Sequence, residues 1–443
     1  MSNPTSKPSF WQRLRPDWDP RRLALWRARL REQLWFRPAW WSVLAVVVAL
    51  LASAADHLLP DRFVPGIDPS ALKTILTVIA SSMLAVSTFS LSILVSAFAS
   101  ASSGATPRAT RLVRANDDAQ TAIAAFLSTF IYSVVALTAL GIGYYGSAGR
   151  FVLLLVTMAV LAHLIFRLLA WVNTLSQIGR LSHTMQTVEQ AADTAFAQYR
   201  ADPAMGGVLA KPGVSPAGVV ITAASVGYLR SVDMAALNHV AERLGGTVHL
   251  RERPGVYAHP ARPLAVLCDA TPDRQALEDL RAAFDVAMER DMLQDPRHGL
   301  IVLSEIALRA LSPAVNDPGT GIAILSVLGR VLIAHLPHAS AASQDDKPPR
   351  YPRVTVPAID EADFIQDAFG PLSRDAAGLL EVAIRLQKTL AAVALNTSGK
   401  LRQQAIAQAA MAAEYAAVRL DLESEKAQIV TLARELRAAT DAG

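Results

Sequence analysis

Apolar residues fall into four long blocks in the first 175 positions and into short periodic groups afterwards. The blocks, at 39–59, 72–103, 119–144 and 151–172, each reach the roughly 20 residues that a helix needs to cross a bilayer. After the fourth, Leu181, Met185, Val188, Ala192 and Phe196 keep helical spacing. That spacing predicts one helix running on to about residue 200, where Asp202-Pro203 breaks it. A β-rich stretch follows, with "AGVVIT", "VGYLRSV", "TVHLR" and "PLAVL" as short strands. A helix over 233–244 is inserted among them and closed by Gly245-Gly246.

From residue 271 the period becomes helical. Thr271 and Pro272 read as N-cap and first helical residue, and Leu277, Leu280, Phe284 and Met288 supply one apolar face. Further helices are expected over 298–311, 318–336, 374–396 and 400–438. Residues 337–359 form a loop in which "RVTV" is a short strand. In the last helix Tyr415, Leu422, Ile429 and Leu436 recur every seven residues, a seam for a second copy or for the same chain. The fold class expected is an α-helical membrane protein, four transmembrane helices followed by a cytoplasmic α+β domain. Its segments are 1–38 (basic, Trp-rich), 39–175 (membrane), 176–204 (linking helix), 205–270 (β-rich module), 271–397 (helical domain) and 398–443 (C-terminal helix). The strand outline of the module resembles a barrel-sandwich domain of the biotinyl or lipoyl type. No lysine stands at a hairpin tip to carry a swinging cofactor, so no cofactor is expected.

Charge orients the membrane part. Residues 1–38 hold Lys7 and eight arginines against Asp17, Asp19 and Glu32, a net of +6 within a chain of net +4. Arg108, Arg111 and Arg114 lie in the second loop, and Arg167 and Arg180 mark the exit of the fourth span. Cytoplasmic loops collect such residues, which places both termini in the cytoplasm of a bacterial inner-membrane protein. Trp11, Trp18, Trp26, Trp35, Trp40, Trp41 and Trp171 would then sit near the cytoplasmic interface. Leu23, Trp26, Leu30 and Leu34 share a helical face, which suits an interfacial helix on anionic lipid. A basic tail on a nearly neutral body indicates a membrane surface and no nucleic acid. Cys268 is the single cysteine, so no internal disulfide and no cysteine-based zinc site can form.

Span two carries Thr77, Ser81, Thr88, Ser92, Ser96 and Ser100 along one face, with Ala85 filling the missing turn. Small residues in a row let helices approach closely, and hydroxyls in a row can also line a water-filled path. No Asp or Glu occurs over 69–116 or 119–188, which argues against a proton- or sodium-coupled carrier. His163 and Arg167 are the titratable residues within span four, one turn apart; Arg167 reads as snorkelling, His163 as a packing or a functional residue. "GIGYYG" at 141–146 has the letters of a dinucleotide-binding turn, but it closes a membrane span and so reads as a turn with interfacial tyrosines.

No metalloprotease, phosphate-loop, nucleophile-elbow or kinase signature is present, and Pro337 separates the one close histidine pair, His335 and His338. In "LRALSPAVNDPGTG", Asp317 before Pro318 has the form of a helix cap. Capping alone leaves Asn316 and Thr320 unexplained, and a helix N-terminus is also a ready anion site. Asn316, Asp317 and Thr320, with Arg309 upstream, are therefore a candidate ligand loop. Glu289, Arg290, Asp291 and Asp295 at a helix end, and Glu305 with Arg309 on the next, read as solvated ion pairs.

"TPRATRLVRAND" with "LSTFIYSVVAL", and "ERDMLQDPRHGLIVLSEIALRALSPAVNDPGT", resemble the bacterial predicted membrane proteins grouped as domain of unknown function twenty-two fifty-four. The resemblance runs from about residue 34 to 394, and Asn316, Asp317 and Pro318 match the most recognisable motif. "VYAHPARPL" departs from the pattern, lacking a glycine at the turn. The resemblance implies an inner-membrane protein and brings no activity, substrate or catalytic residues.

Three functional classes remain. The first is an oligomeric channel-like or facilitative permeation protein with a cytoplasmic regulatory domain. The second is a membrane-anchored sensor or scaffold without transport. An interfacial lipid-modifying enzyme using Asn316, Asp317 and Arg309 comes last, because no nucleophile–base pair accompanies them.

Overall fold

The computed structural model describes residues 36–58, 65–104, 106–109, 117–177, 180–213, 216–336 and 348–441. Contacts divide the chain into two units, one of residues 1–100 and 113–180, the other of 101–112 and 181–443. The basic segment, the expected interfacial helix, Arg111, Arg114 and His338 lie outside the described residues.

The first unit is helical, the one regular structure in which an apolar run satisfies its own backbone. α1 (Phe36–Leu51) passes through a 3-10 turn into α2 (Ala55–Leu58). α3 (Pro69–Gly104), α4 (Asp117–Gly141) and α5 (Ser147–Gln177) follow. α3 begins earlier than hydropathy places it because Asp68 caps it, accepting from Ser70 N at 2.9 Å and from Ser70 Oγ at 2.6 Å. Its 36 residues span about 54 Å. One core joins Ala49, Leu72, Leu76, Tyr132, Ala136 and Leu153, with Tyr132 Oη and Thr157 Oγ1 2.9 Å apart between α4 and α5. A second joins Ile79, Met83, Phe126, Leu164 and Trp171. Trp171 is buried in the helix packing, while Trp40 and Trp41 are exposed.

The "GIGYYG" segment is a turn, with Gly143 at φ +72°. Tyr144 is exposed, whereas Tyr145 is buried and donates its hydroxyl to Ala49 O at 2.8 Å. Asp56 accepts from Gly146 N at 2.8 Å and Gly149 N at 2.7 Å, capping α5 from a distant segment. A β-carbon at Gly149 would stand 2.5 Å from Asp56 Oδ2, which is why this position is bare.

The fourth apolar helix does not run on to residue 200. It ends at Gln177, Arg180 is non-helical, and α6 (Leu181–Ala201) starts afresh in the second unit.

In the second unit a five-stranded sheet has the order β1-β8-β4-β6-β2 and a three-stranded one the order β5-β3-β7. Their strands are β1 (Val208–Leu209), β2 (Val219–Thr222), β3 (Gly227–Val232), β4 (Thr247–Leu250), β5 (Tyr257–Ala258), β6 (Pro263–Cys268), β7 (Phe284–Ala287) and β8 (Val354–Val356). β8 runs parallel to β1 and β4; the other pairs are antiparallel. α7 (Met234–Leu244) and α8 (Arg274–Ala282) cover the same core. A mixed sheet with two helices replaces the barrel-sandwich outline, and the module does not stop at 270. The cap of α8 falls on Asp273, which accepts from Ala276 N, two residues beyond Thr271. Phe284 and Met288 leave the expected helix as well: Phe284 pairs with Val232 across the sheet and Met288 is exposed.

The helical body comprises α6, α9 (Pro296–Leu311), α10 (Pro318–His335), α11 (Ala362–Asp375), α12 (Leu380–Asn396), α13 (Gly399–Arg419) and α14 (Glu423–Asp441). Val188, Phe196, Leu303, Leu328, Phe364, Leu386 and Leu401 meet in its core. The expected last helix is two, because Leu420 is extended (φ −81°, ψ 146°) and the chain folds back. Ile429 and Leu436 are thereby buried while Leu422 and Val418 stay exposed, so no continuous heptad seam exists.

Five described helices are long and apolar enough to cross a membrane, where the hydropathy blocks predict four: 38–57, 69–96, 121–141, 147–175 and 318–335. The fifth is α10, whose Ile324, Leu325, Leu328, Val331 and Leu332 are buried in the helical body.

Candidate functional site

Asp317 caps α10, with Oδ1 accepting from Thr320 N at 3.0 Å and Oδ2 from Thr320 Oγ1 at 2.6 Å. Both bonds favour the carboxylate, and they hold its pKa below the usual range. Asn316 donates its N to Ser312 O at 2.8 Å, and its left-handed conformation, φ +50°, turns the chain so that Asp317 N reaches Ala310 O at 2.8 Å. Asparagine tolerates that region better than other side chains with a β-carbon. Arg309 lends its carbonyl to Ser312 Oγ at 2.7 Å. Turn geometry therefore accounts for Asn316 and Thr320, the two residues that a simple cap leaves over.

In the first unit, α3 buries Leu72, Leu76, Ile79, Met83, Ser90 and Leu94. Thr77, Ser81, Thr88, Ser92 and Ser96 lie on the opposite side and are exposed. The side chain of Ser100 lies outside the described residues. Thr77, Thr88 and Ser92 donate to the carbonyls four residues back, at 2.7, 2.9 and 3.1 Å, and Ser81 to Val78 O at 3.1 Å. Such back-bonding satisfies a hydroxyl without water and leaves a narrow, flat helix face. His163 is exposed on α5, whereas Arg167 turns inward one turn on, with Nε buried and unpartnered. The pair does not form one site.

Within the second unit, the turn after β4 and the segments around 290–297 and 357–363 enclose a cleft of about 410 Å³. Arg251, Arg253, Arg262, Arg290 and Arg297 line it, with Glu252, Asp295, Asp360 and Asp363. Asp295 is 2% exposed and receives Arg290 Nε at 3.0 Å and Nη2 at 2.6 Å. Burial pushes the Asp295 carboxyl up, and the Arg290 charge opposes it. Arg297 bridges Asp363 and Asp367, with Nε 2.6 Å from Asp367 Oδ2. Arg262 Nε meets Glu252 at 2.8 Å, and Lys400 meets Asp360 at 3.3 Å. Arg253 Nη1 donates to Pro203 O at 3.0 Å and Pro357 O at 2.8 Å, and its guanidinium lies 5.8 Å from the Tyr199 ring centroid. Gly255, at φ +101°, passes so close to Asp295 that a β-carbon would stand 2.2 Å from Oδ2.

Two expectations change here. Asp295, paired with the half-buried Arg290, is buried instead of solvated, and Glu305 meets Arg108 instead of Arg309. The signal that points to the cleft is "RERPG" after β4, where three charged residues precede a Pro-Gly turn. Among the described residues no group of His, Cys, Asp and Glu could hold a metal ion. His335 instead pairs with Asp193 at 3.1 Å and stacks on Phe196.

A family model described as "Predicted membrane protein (DUF2254)" matches residues 31–392. Uncharacterized proteins of Mycobacterium bovis and of two strains of Mycobacterium tuberculosis are each 27% identical to the chain. Each match covers 68% of this chain and 60% of the relative, so the chain spans less than two thirds of those proteins' length. No solved structure matches the chain.

Proposed function

The chain belongs to this family of predicted membrane proteins, and on that premise we propose that it is an oligomeric, channel-like permeation protein of the bacterial inner membrane. Several apolar helices make it a multi-pass protein. Of the five, the four in the first unit span the bilayer in this reading. α10 does not, because its large side chains already fill a protein core and lipid would have to replace that packing. In this reading both termini lie in the cytoplasm, as the distribution of arginines favours, and the basic N-terminal segment holds anionic lipid. The protein is not an enzyme, binds no nucleic acid, and uses its second unit as a regulator.

One observation carries this reading: the hydroxyl face of α3 is exposed, opposite the face that packs within the chain. Small side chains on a membrane helix favour close approach of another helix. In a ring of copies the same face would border a central path, hydroxyls offering oxygen ligands without buried charge. Planar-bilayer recording of the purified protein tests it. Discrete conductance that Ser92→Leu reduces is the result expected; silence across varied ions and voltages contradicts it.

A sensor without transport is the second reading, favoured by the arginine-lined cleft of the second unit.

A further inference from the structure

We propose that the cleft of the second unit binds a small phosphoryl-bearing anion, with Arg253 and Arg262 among its lining residues. The proposal stands whether or not the protein conducts.

The cations of the cleft are not equivalent. Arg290 and Arg297 are committed to carboxylates, Asp295 in one case and Asp363 with Asp367 in the other. Arg253 forms no ion pair with any described carboxylate; its protein acceptors are two neutral carbonyls, and its Nε is buried without a partner. The Asp295 and Asp202 charges favour this guanidinium from beyond direct contact, but a largely desolvated cation hydrogen-bonded only to carbonyls still favours an anion that reaches it. Arg262 uses Nε for Glu252, and among the described residues neither of its Nη groups has a protein acceptor. Together the lining holds five arginines against four carboxylates, an excess of one positive charge.

Shape supports the same conclusion. A cavity of about 410 Å³ lies within the usual range for small-molecule sites. The glycine at 255 keeps the wall thin where the chain passes Asp295. Planar guanidinium forks match the tetrahedral oxygens of a phosphoryl group in paired hydrogen bonds. The carboxylates present are already matched by Arg290, Arg297, Arg262 and Lys400, so they leave Arg253 to the ligand. A soluble phosphate ester and an anionic lipid headgroup both present this chemistry.

Calorimetric titration of the full chain in phosphatidylcholine nanodiscs with inorganic phosphate and with glycerol phosphate is the test. Saturable binding that weakens as salt rises is expected. In a variant that stays folded, Arg253→Gln should weaken it about tenfold or more, the usual consequence of losing a charge-assisted hydrogen bond. Repeating the titration in phosphatidylglycerol nanodiscs separates the sources. Competition by the lipid assigns a headgroup ligand, and undiminished binding assigns a soluble one. Should Arg253→Gln fail to fold, Arg262→Gln decides: weakened binding supports the site and unchanged binding overturns it. Absence of saturable binding, or equal binding by folded Arg253→Gln and the parent, also overturns it.

Discussion

Asp317 holds Thr320 twice, through the backbone N at 3.0 Å and through the side-chain hydroxyl at 2.6 Å. One carboxylate thus closes the first turn of α10 and fixes the loop before it. Asp317→Ala should cost about 1 kcal/mol of stability, and Asp317→Asn much less, read from chemical unfolding in detergent. The pH dependence has a definite sign. The Asp317 pKa is lowered in the folded chain by the Thr320 bonds, so its contribution is present above the unfolded value of about 3.9. It is lost as pH falls through the lower folded value. The Asp317→Ala variant should therefore approach the parent in acid, whereas a gap that persists there assigns the residue another role.

The apolar blocks, the left-handed glycine closing α7 and the cap at Asp317 could all be read from sequence, because each depends on neighbours a few residues away. The failures share the opposite property. Leu277, Leu280, Phe284 and Met288 fit a helix, but Phe284 pairs with Val232 some fifty positions earlier, and tertiary pairing outweighs local period. No glycine or proline marks the break at Leu420; the chain folds back there because Ile429 and Leu436 find a core only in that geometry. Residues of the cleft come from three separate segments, none of which spells a motif. Asn316 and Thr320 stand out in the sequence, but the left-handed φ of the first and the Asp317 bonds of the second exist only in three dimensions.

Asp56 and Gly149 tie the end of the first apolar helix to the start of α5. Gly149→Ala should displace the carboxylate and cost about 1–2 kcal/mol, by loss of a cap. Asp56→Ala should cost a similar amount, and the double variant little more than either, because both remove one interaction. Thermal unfolding of the four proteins in one detergent gives the answer; full additivity would show that the contact contributes nothing.

Arg290 neutralises a carboxylate with almost no exposure. Arg290→Ala should destabilise the second unit by about 3–5 kcal/mol, leaving a buried charge unpaired. Burial raises the Asp295 pKa in the folded chain. The folded state then holds the proton more tightly, and stability falls as pH rises from about 3.9 through the folded value. Without Arg290 that fall should deepen and extend to higher pH. Adding Asp295→Asn should restore most of the loss and flatten the profile; an unrescued double variant would mean that Arg290 acts by packing.

Cysteine scanning in native membrane vesicles tests the role of the exposed hydroxyl face of α3 most directly. Cys268, buried and free, is first replaced by Cys268→Ala. Ser81→Cys, Thr88→Cys and Ser92→Cys are then compared with Leu84→Cys and Phe89→Cys, whose parent side chains are also exposed on α3 but flank the hydroxyl row. The account predicts that a charged thiol reagent modifies the first three and spares the last two, and that oxidation links Ser92→Cys copies into dimers. Uniform inertness along α3, with no cross-linked species, would contradict it.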